Sequence, residues 1–342
     1  MSAGQAGRCL DILRRRCAIV VPVYLPPGVD RDLGAALLRD NVLLCVAQLD
    51  DPARLCLSVD GPDNGVEPAE ELRAEFGVSL HVGEDNGGKL AALRRGARAM
   101  AAVDFDYLAA IDADGDHFAN ELLNFVRAAE FARAEAPADE VLVLGRRISR
   151  HRPMGFLRGE LEELADRVLL DALAYHAARN DRPLRLEYAT ALEEFPDFHS
   201  GYKLFSRGAA EAVFLSPPRP LGAEVAYYRH GVEAVMTVEA LLGGALLVLA
   251  NRTTLNEQPL STFGRLDRAR LVADKMVWPC LRLGVPVAFV DQWLKNHLPR
   301  LLLNSLAPQG KEELLQIRRL VLEGLGAEAG DDDDFSWGPM FV

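Results

Sequence analysis

From residue 17 onward, short apolar runs alternate with longer segments of helical spacing, and this alternation leaves few architectures open. Cys17-Ala18-Ile19-Val20-Val21-Pro22-Val23 is apolar and β-branched, and Pro26-Pro27-Gly28 closes it. Residues 31–48 carry Leu33, Leu37, Val42 and Leu44 at helical spacing. Leu55-Cys56-Leu57-Ser58-Val59 predicts a second strand, ended by the turn-forming run Asp60-Gly61-Pro62-Asp63-Asn64-Gly65. Then come a helix over 67–76, a strand over 78–82, the Gly83–Lys89 loop, a helix over 90–102 and the strand that runs out at Asp112. A helix over 119–135 and a strand over 140–145 follow. Continuous apolar strands separated by whole helices imply a mainly parallel sheet covered on both faces. Ligands of such sheets bind beyond the carboxyl ends of the strands. Pro22, Tyr24, Asp60, the Gly83–Lys89 loop, Asp112 and Asp114 all stand at strand exits, so they should gather on one rim.

After residue 150 the pattern loosens. A helix is expected over 156–179, then a loop through Phe195-Pro196-Asp197-Phe198-His199-Ser200-Gly201, a strand Tyr202–Phe205 and a late strand Leu246–Leu249. From 265 the chain reads as helical, interrupted at Pro279 and Pro286. Asp331-Asp332-Asp333-Asp334 reads as a disordered, solubilising tail.

The sharpest chemistry lies in Asp112-Ala113-Asp114-Gly115-Asp116, directly after the apolar run Asp106–Ile111. A buried strand does not carry an unpaired charge cheaply, so acids at its exit face a site or solvent. Asp112 and Asp114 point the same way if strand geometry persists. Two converging carboxylates repel unless a cation lies between them, and such oxygen ligands suit Mg²⁺ or Mn²⁺, which in turn suits a diphosphate. Asp116 reads as an acid at a helix N-terminus, favoured by the helix dipole.

Two other readings of these loops fail. A calcium-binding EF-hand loop needs glycine where His117 stands and a bidentate acid where Leu123 stands. Gly83-Glu84-Asp85-Asn86-Gly87-Gly88-Lys89-Leu90 matches the glycine and lysine spacing of a P-loop, but Leu90 replaces the metal-binding hydroxyl and Glu84 and Asp85 put negative charge in the cradle. The glycines still let amides at a helix start approach an anion.

The formal charge of −12 argues against general nucleic-acid binding. It also disfavours adhesion to an anionic membrane, leaving Arg14-Arg15-Arg16 as a solvated helix end or a small basic patch. The apolar stretch Ala240–Ala250 is far shorter than the roughly 20 residues of a spanning helix, and Met1–Leu13 lacks a signal-peptide core. The five cysteines show no CxxC spacing and read as buried thiols of a cytoplasmic protein.

Taken in order, the motifs resemble the GT-A glycosyltransferases of the family 2 type, particularly the polyprenol-phosphate-hexose synthase branch. The resemblance rests on Ile19–Tyr24, Ser58-Val59-Asp60-Gly61, Asn86-Gly87-Gly88-Lys89 with Ala92 and Gly96, and Asp112-Ala113-Asp114. It continues through Leu144-Gly145-Arg146-Arg147 after the next strand, Gly201–Phe205 and Gly231-Val232-Glu233, so that it spans roughly residues 17–265. Leu25 departs from the asparagine often found after the opening motif, and Gly61-Pro62-Asp63 is a variant acidic turn. The paired hydrophobic helices that end some membrane-bound members are not found in this sequence.

The resemblance implies an α/β GT-A domain over 15–265 with a Rossmann-like, mostly parallel sheet. A helical C-terminal extension over 266–330 and an acidic tail over 331–342 would follow. Asp60 would contact the base of a nucleoside-diphosphate sugar donor, with Pro22 and Tyr24 beside it and Lys89 near the nucleotide or its phosphates. Asp114 would bind Mg²⁺ or Mn²⁺, and Asp112 would hold the ribose or a metal-bound water. His230 is a candidate third ligand, and His199, Gly201 and Arg146 are acceptor-side candidates; for both histidines a structural imidazole is the reading the residues favour. Arg146, Arg147, Arg150 and Arg152 cluster around His151, as a phosphate site or a solvated surface. An alcohol acceptor requires a base, for which Glu233 and then Glu224 are the candidates; a phosphate acceptor requires none.

The expected activity is metal-dependent sugar transfer to a small or phosphorylated soluble acceptor. A polyprenyl phosphate is the alternative, approached through the mixed basic and apolar run Trp293–Leu303. A non-catalytic nucleotide-sugar-binding protein and a nucleotidyltransferase are the rivals from other classes.

Overall fold

The computed structural model describes residues 3–26, 28–149, 151–189, 195–255, 267–327 and 335–337. Among them, seven strands form one sheet in the order β3-β2-β1-β4-β6-β5-β7. The strands are β1 (Cys17–Val23), β2 (Leu55–Val59), β3 (Ser79–Val82), β4 (Tyr107–Ala110), β5 (Val141–Arg147), β6 (Lys203–Ser206) and β7 (Leu246–Arg252). All neighbours are parallel except β6, which runs antiparallel to both β4 and β5. The parallel sheet read from the alternation is therefore the observed one, with a single reversed strand inserted.

Alternate residues of each strand enter opposite cores, as the two-residue period requires. Ala18 and Val20 of β1 join one cluster, under helices α4 (Lys89–Met100), α6 (His151–Arg179), α8 (Val232–Leu242) and α9 (Arg268–Leu283). Ile19 and Val21 join the other, under α1 (Ala3–Arg16), α2 (Arg31–Val46), α3 (Val66–Phe76) and α5 (Leu122–Glu135). Each buried valine or isoleucine contributes about 1.5–3 kcal/mol relative to exposure. The chain leaves β1 for β2 and β3 on one side and returns to β4 on the other, so the sheet order reverses between β1 and β4. A crevice forms at such a point.

Several expectations change. Arg146 and Arg147 lie within β5 and so point to opposite faces, which breaks up the expected arginine cluster. Arg147 turns inward and binds Asp197 through Nε at 2.8 Å, while Arg150 and the side chain of Arg152 lie outside the described residues. Pro279 is buried inside α9 rather than ending it, since tertiary packing outweighs its local cost. The run Trp293–Leu303 is not one helix: α10 (Val287–His297) ends before Pro299, and α11 (Leu303–Leu306) starts afresh. Leu294, Leu298, Leu301 and Leu303 are buried in the core, while Leu302 is exposed. Arg15 and Arg16, at the basic end of α1, pair with Asp50 at 2.9 Å and Asp106 at 2.7 Å. Asp331–Asp334 lie outside the described residues, but Phe335 packs beneath Arg318 of α12 (Gly310–Gly324). No described helix is long and apolar enough to cross a membrane, and all five cysteines are buried free thiols.

Candidate active site

Asp112 follows β4 at the point where the sheet order reverses, and three elements fix its position. Asn41 of α2 donates to its carbonyl at 2.7 Å. Its own amide donates to His117 Nδ1 at 2.9 Å. His117 is stacked on Tyr202, with ring centroids 4.8 Å apart. Burial holds the pKa of this imidazole well below its ordinary value, so it stays neutral and Nδ1 serves as the acceptor.

The Asp112 carboxylate meets the Lys89 ammonium at 2.8 Å. Lys89, the first residue of α4, also donates to Glu233 Oε1 at 2.7 Å. Glu233 stands in the first turn of α8, where the helix dipole favours an acid. Burial opposes the lysine charge, but Asp112 and Glu233 outweigh it and raise the Lys89 pKa. Burial likewise opposes ionisation of Glu233, and Lys89 reverses that balance and lowers its pKa.

For Asp114 the balance goes the other way. One of its oxygens accepts from the Asp116 amide at 3.1 Å, while burial and then the Asp112 charge push its pKa up to about 6. Asp112 and Glu233 thus share one ammonium, and Asp114 adds a further carboxylate whose charge Asp112 opposes. Among the described residues no set of three histidine, cysteine or acidic side chains forms a closed metal site. Asp114 and Asp112 are the two oxygen donors that could hold a hard ion, whose remaining ligands would have to come from outside the chain.

Asp60 follows β2 and lies against the glycine turn that opens α4. It is buried, and its two oxygens accept from the amides of Gly87 and Gly88, each at 2.9 Å. The anion held at the start of α4 is the protein's own carboxylate. Gly88 needs its positive φ of 95°, and a Cβ there would lie 2.5 Å from the Tyr228 carbonyl. From the other side Arg229, in the π-helical turn Ala226–His230, clamps Asn86 through its side-chain and backbone oxygens at 2.8 and 2.6 Å. Pro22 is half-buried at the end of β1 and Tyr24 is exposed just beyond it.

Gly201 lies so close to the motif that a Cβ would stand 2.5 Å from Asp112 Oδ2. The loop before β6 and the acidic motif therefore share one wall. His199 is in the interior, its Nδ1 2.7 Å from Asp166, with no partner on Nε2. His230 Nδ1 is 2.7 Å from Asp274, which leaves its Nε2 for a ligand, although no bond joins it to Asp112 or Asp114. Arg146 donates to Asn251 at 2.9 Å across β5 and β7. Glu224 is exposed and does not join the Lys89 cluster. Asp116 is a buried ion-pair partner of Arg252 at 3.1 Å, which ties the motif to the end of β7, rather than the dipole-stabilised helix acid the sequence suggests.

Sequence reasoning missed His117, Asn41, Arg229 and Arg252. Only His117 carried a usable signal, since a ring five residues beyond Asp112 can accept locally from the backbone.

A solved structure with the same course is glucosyl-3-phosphoglycerate synthase from Mycobacterium tuberculosis, crystallised with Mg²⁺ and uridine diphosphate. It aligns over 84% of this chain and 85% of that one at 17% identity, with a TM-score of 0.50. The fold is that of the GT-A glycosyltransferases. A mannosyltransferase from Pyrobaculum calidifontis in complex with GDP-Man and Mn²⁺ aligns over 94% and 92% of the two chains at 14% identity, with a TM-score of 0.46. No protein-family model matches the sequence, and no curated protein matches it.

Proposed function

We propose that this chain is a metal-dependent glycosyltransferase, moving a sugar from a nucleoside-diphosphate sugar to a small or phosphorylated soluble acceptor. The observation that carries the reading is the convergence of Asp112, Asp114, Lys89 and Glu233 at the crevice between β1 and β4. On this fold, the similar mycobacterial synthase was crystallised with Mg²⁺ and uridine diphosphate.

A bound Mg²⁺ or Mn²⁺ would supply Lewis-acid stabilisation of the leaving diphosphate. Asp114 would hold it, with Asp112 sharing the ion or orienting its water and ribose. Lys89 adds a fixed positive charge at the same edge, where charge develops as the diphosphate departs. The Gly87-Gly88 turn, fastened by Asp60 below and Arg229 above, keeps Lys89 aimed at Asp112 without reorganisation. Pro22 and Tyr24 form the wall beside the nucleotide base.

Glu233 is ionised and lines the same space, so it can accept a hydroxyl proton from an acceptor. Its lowered pKa makes it a weak base, which suits an acceptor that is already ionised. Arg146, on the rim of β5, is the acceptor-side cation in this reading. Five buried thiols fit a reducing cytoplasm.

The test is release of nucleoside diphosphate from a panel of nucleotide sugars, with Mn²⁺ or with EDTA, offered sugar phosphates and, separately, liposomes carrying polyprenyl phosphate. Metal-dependent transfer to a soluble acceptor supports the proposal. Transfer only onto the liposomes replaces the acceptor by a lipid, and no metal-dependent release with any donor overturns the activity.

A further inference from the structure

Arg94 is 3% exposed on α4, and among the described residues no carboxylate lies within ion-pairing distance of its guanidinium. Nη1 donates to the Val213 carbonyl at 2.8 Å and Nη2 donates to the Ser216 carbonyl. Two carbonyls are few acceptors for a group with five donors, and burying a charge without a counter-ion is costly. The guanidinium forms part of the wall of a cavity of about 190 Å³.

Two more arginines share that wall. Arg282 is paired with Glu239 at 2.7 Å, and Arg219 is exposed with a side chain that pairs with nothing among the described residues. Three guanidiniums against one carboxylate give the cavity a local positive charge on a chain whose net charge is −12. Its backbone is held firmly: Trp278 Nε1 donates to the Arg219 carbonyl at 2.8 Å.

The cavity is not the carboxylate cluster. Glu233 opens α8, whereas Glu239, Leu242 and Gly243 of the cavity wall lie at the other end, roughly 9–15 Å along the axis. Its volume is below the roughly 300–1,000 Å³ of sites for drug-sized ligands, so only a small ligand fits. Guanidiniums match phosphate oxygens with parallel donors.

We propose that this cavity is a second ligand site, separate from the sugar-transfer rim, that takes a small phosphate-bearing anion. Arg94 forms its floor, Arg219 its exposed outer contact, and the Arg282–Glu239 pair its side.

The test is calorimetric titration of the full chain with inorganic phosphate and, separately, with glycerol phosphate, in EDTA and at constant ionic strength held with chloride. The expected result is saturable binding tighter than about 1 mM, weakened about tenfold or more by Arg219→Glu and unchanged by Lys89→Met on the rim. Tighter binding of glycerol phosphate assigns an organic phosphate; equal or weaker binding assigns the free ion. Arg219 is exposed, so its variant folds even where Arg94→Met does not. Absence of saturable binding by either probe, binding that survives Arg219→Glu, or binding lost in Lys89→Met overturns the proposal.

Discussion

Lys89 Nζ lies 2.7 Å from Glu233 Oε1, although 144 positions separate the two residues. The contact joins the start of α4 to the start of α8 over the Asp112 carboxylate. Lys89→Met leaves two carboxylates facing each other, and a stability loss of about 1–3 kcal/mol is expected, below the 3–5 kcal/mol of fully buried pairs because the cluster is partly exposed. The raised lysine pKa means that its contribution is complete below the ordinary lysine range and is lost only as pH rises through the raised value. The lowered Glu233 pKa means that its contribution is present above the ordinary carboxylate range and is lost as pH falls through the lowered value. Urea unfolding should therefore show a similar deficit at pH 7 and 9, and a smaller one at pH 5, where protonation of one of the two facing carboxylates relieves the variant. A variant as stable as the wild type contradicts the pairing.

Asp60 offers a separable test of anchoring against base recognition. Because it accepts from Gly87 and Gly88, Asp60→Ala leaves two amides without an acceptor and should cost the ligand-free protein about 1–3 kcal/mol. Thermal unfolding without nucleotide reads this directly. An unchanged ligand-free stability with weakened nucleotide binding would assign Asp60 to the base alone.

Gly201→Ala places a methyl group against Asp112 Oδ2. The carboxylate has to leave its position against Lys89, so transfer activity should fall about 100-fold, by analogy with small misplacements of reacting groups, while circular dichroism stays native. Activity within a factor of two of the wild type would show that the wall has room.

Lys203 behaves in the opposite sense to Lys89. Its ammonium is wholly buried and donates to the Phe198 carbonyl at 2.9 Å, and burial lowers its pKa from 10.5 to about 8. Between those two values the unfolded chain binds more protons than the native one, so this group adds stability as pH rises. The stability advantage of wild type over Lys203→Met should grow from pH 7.5 to pH 10 when measured by urea unfolding. A constant or shrinking difference contradicts the lowered value.

Much of the fold was legible because burial on both faces writes continuous apolar strands, and the intervening helices force parallel crossovers. The place of β6 was not legible: Tyr202–Phe205 reads as a strand, but nothing in four residues selects β4 and β5 as antiparallel partners. Only the end of α1 was read, at Arg14-Arg15-Arg16, although Cys9, Ile12 and Leu13 mark one buried face at helical spacing. In the site, Asp112 and Asp114 were visible because a strand cannot end on unpaired acids without a reason. The partnership of Asp60 with Gly87 and Gly88 was invisible, since a glycine turn that could cradle a phosphate has the same sequence whether the anion comes from a ligand or from the chain. Arg146 and Arg147 were read as neighbours in a cluster, but the pleat of β5 sends one to the rim and the other to Asp197.

The central claim is that Asp114 holds a divalent ion that in turn holds the donor diphosphate. The most direct measurement is calorimetric binding of nucleoside-diphosphate sugars to wild type and Asp114→Asn, each with Mn²⁺ and with EDTA. The account predicts that a donor binds wild type in Mn²⁺, that EDTA weakens this at least about tenfold, and that Asp114→Asn in Mn²⁺ matches wild type in EDTA. Equal donor affinity in all four conditions would contradict it.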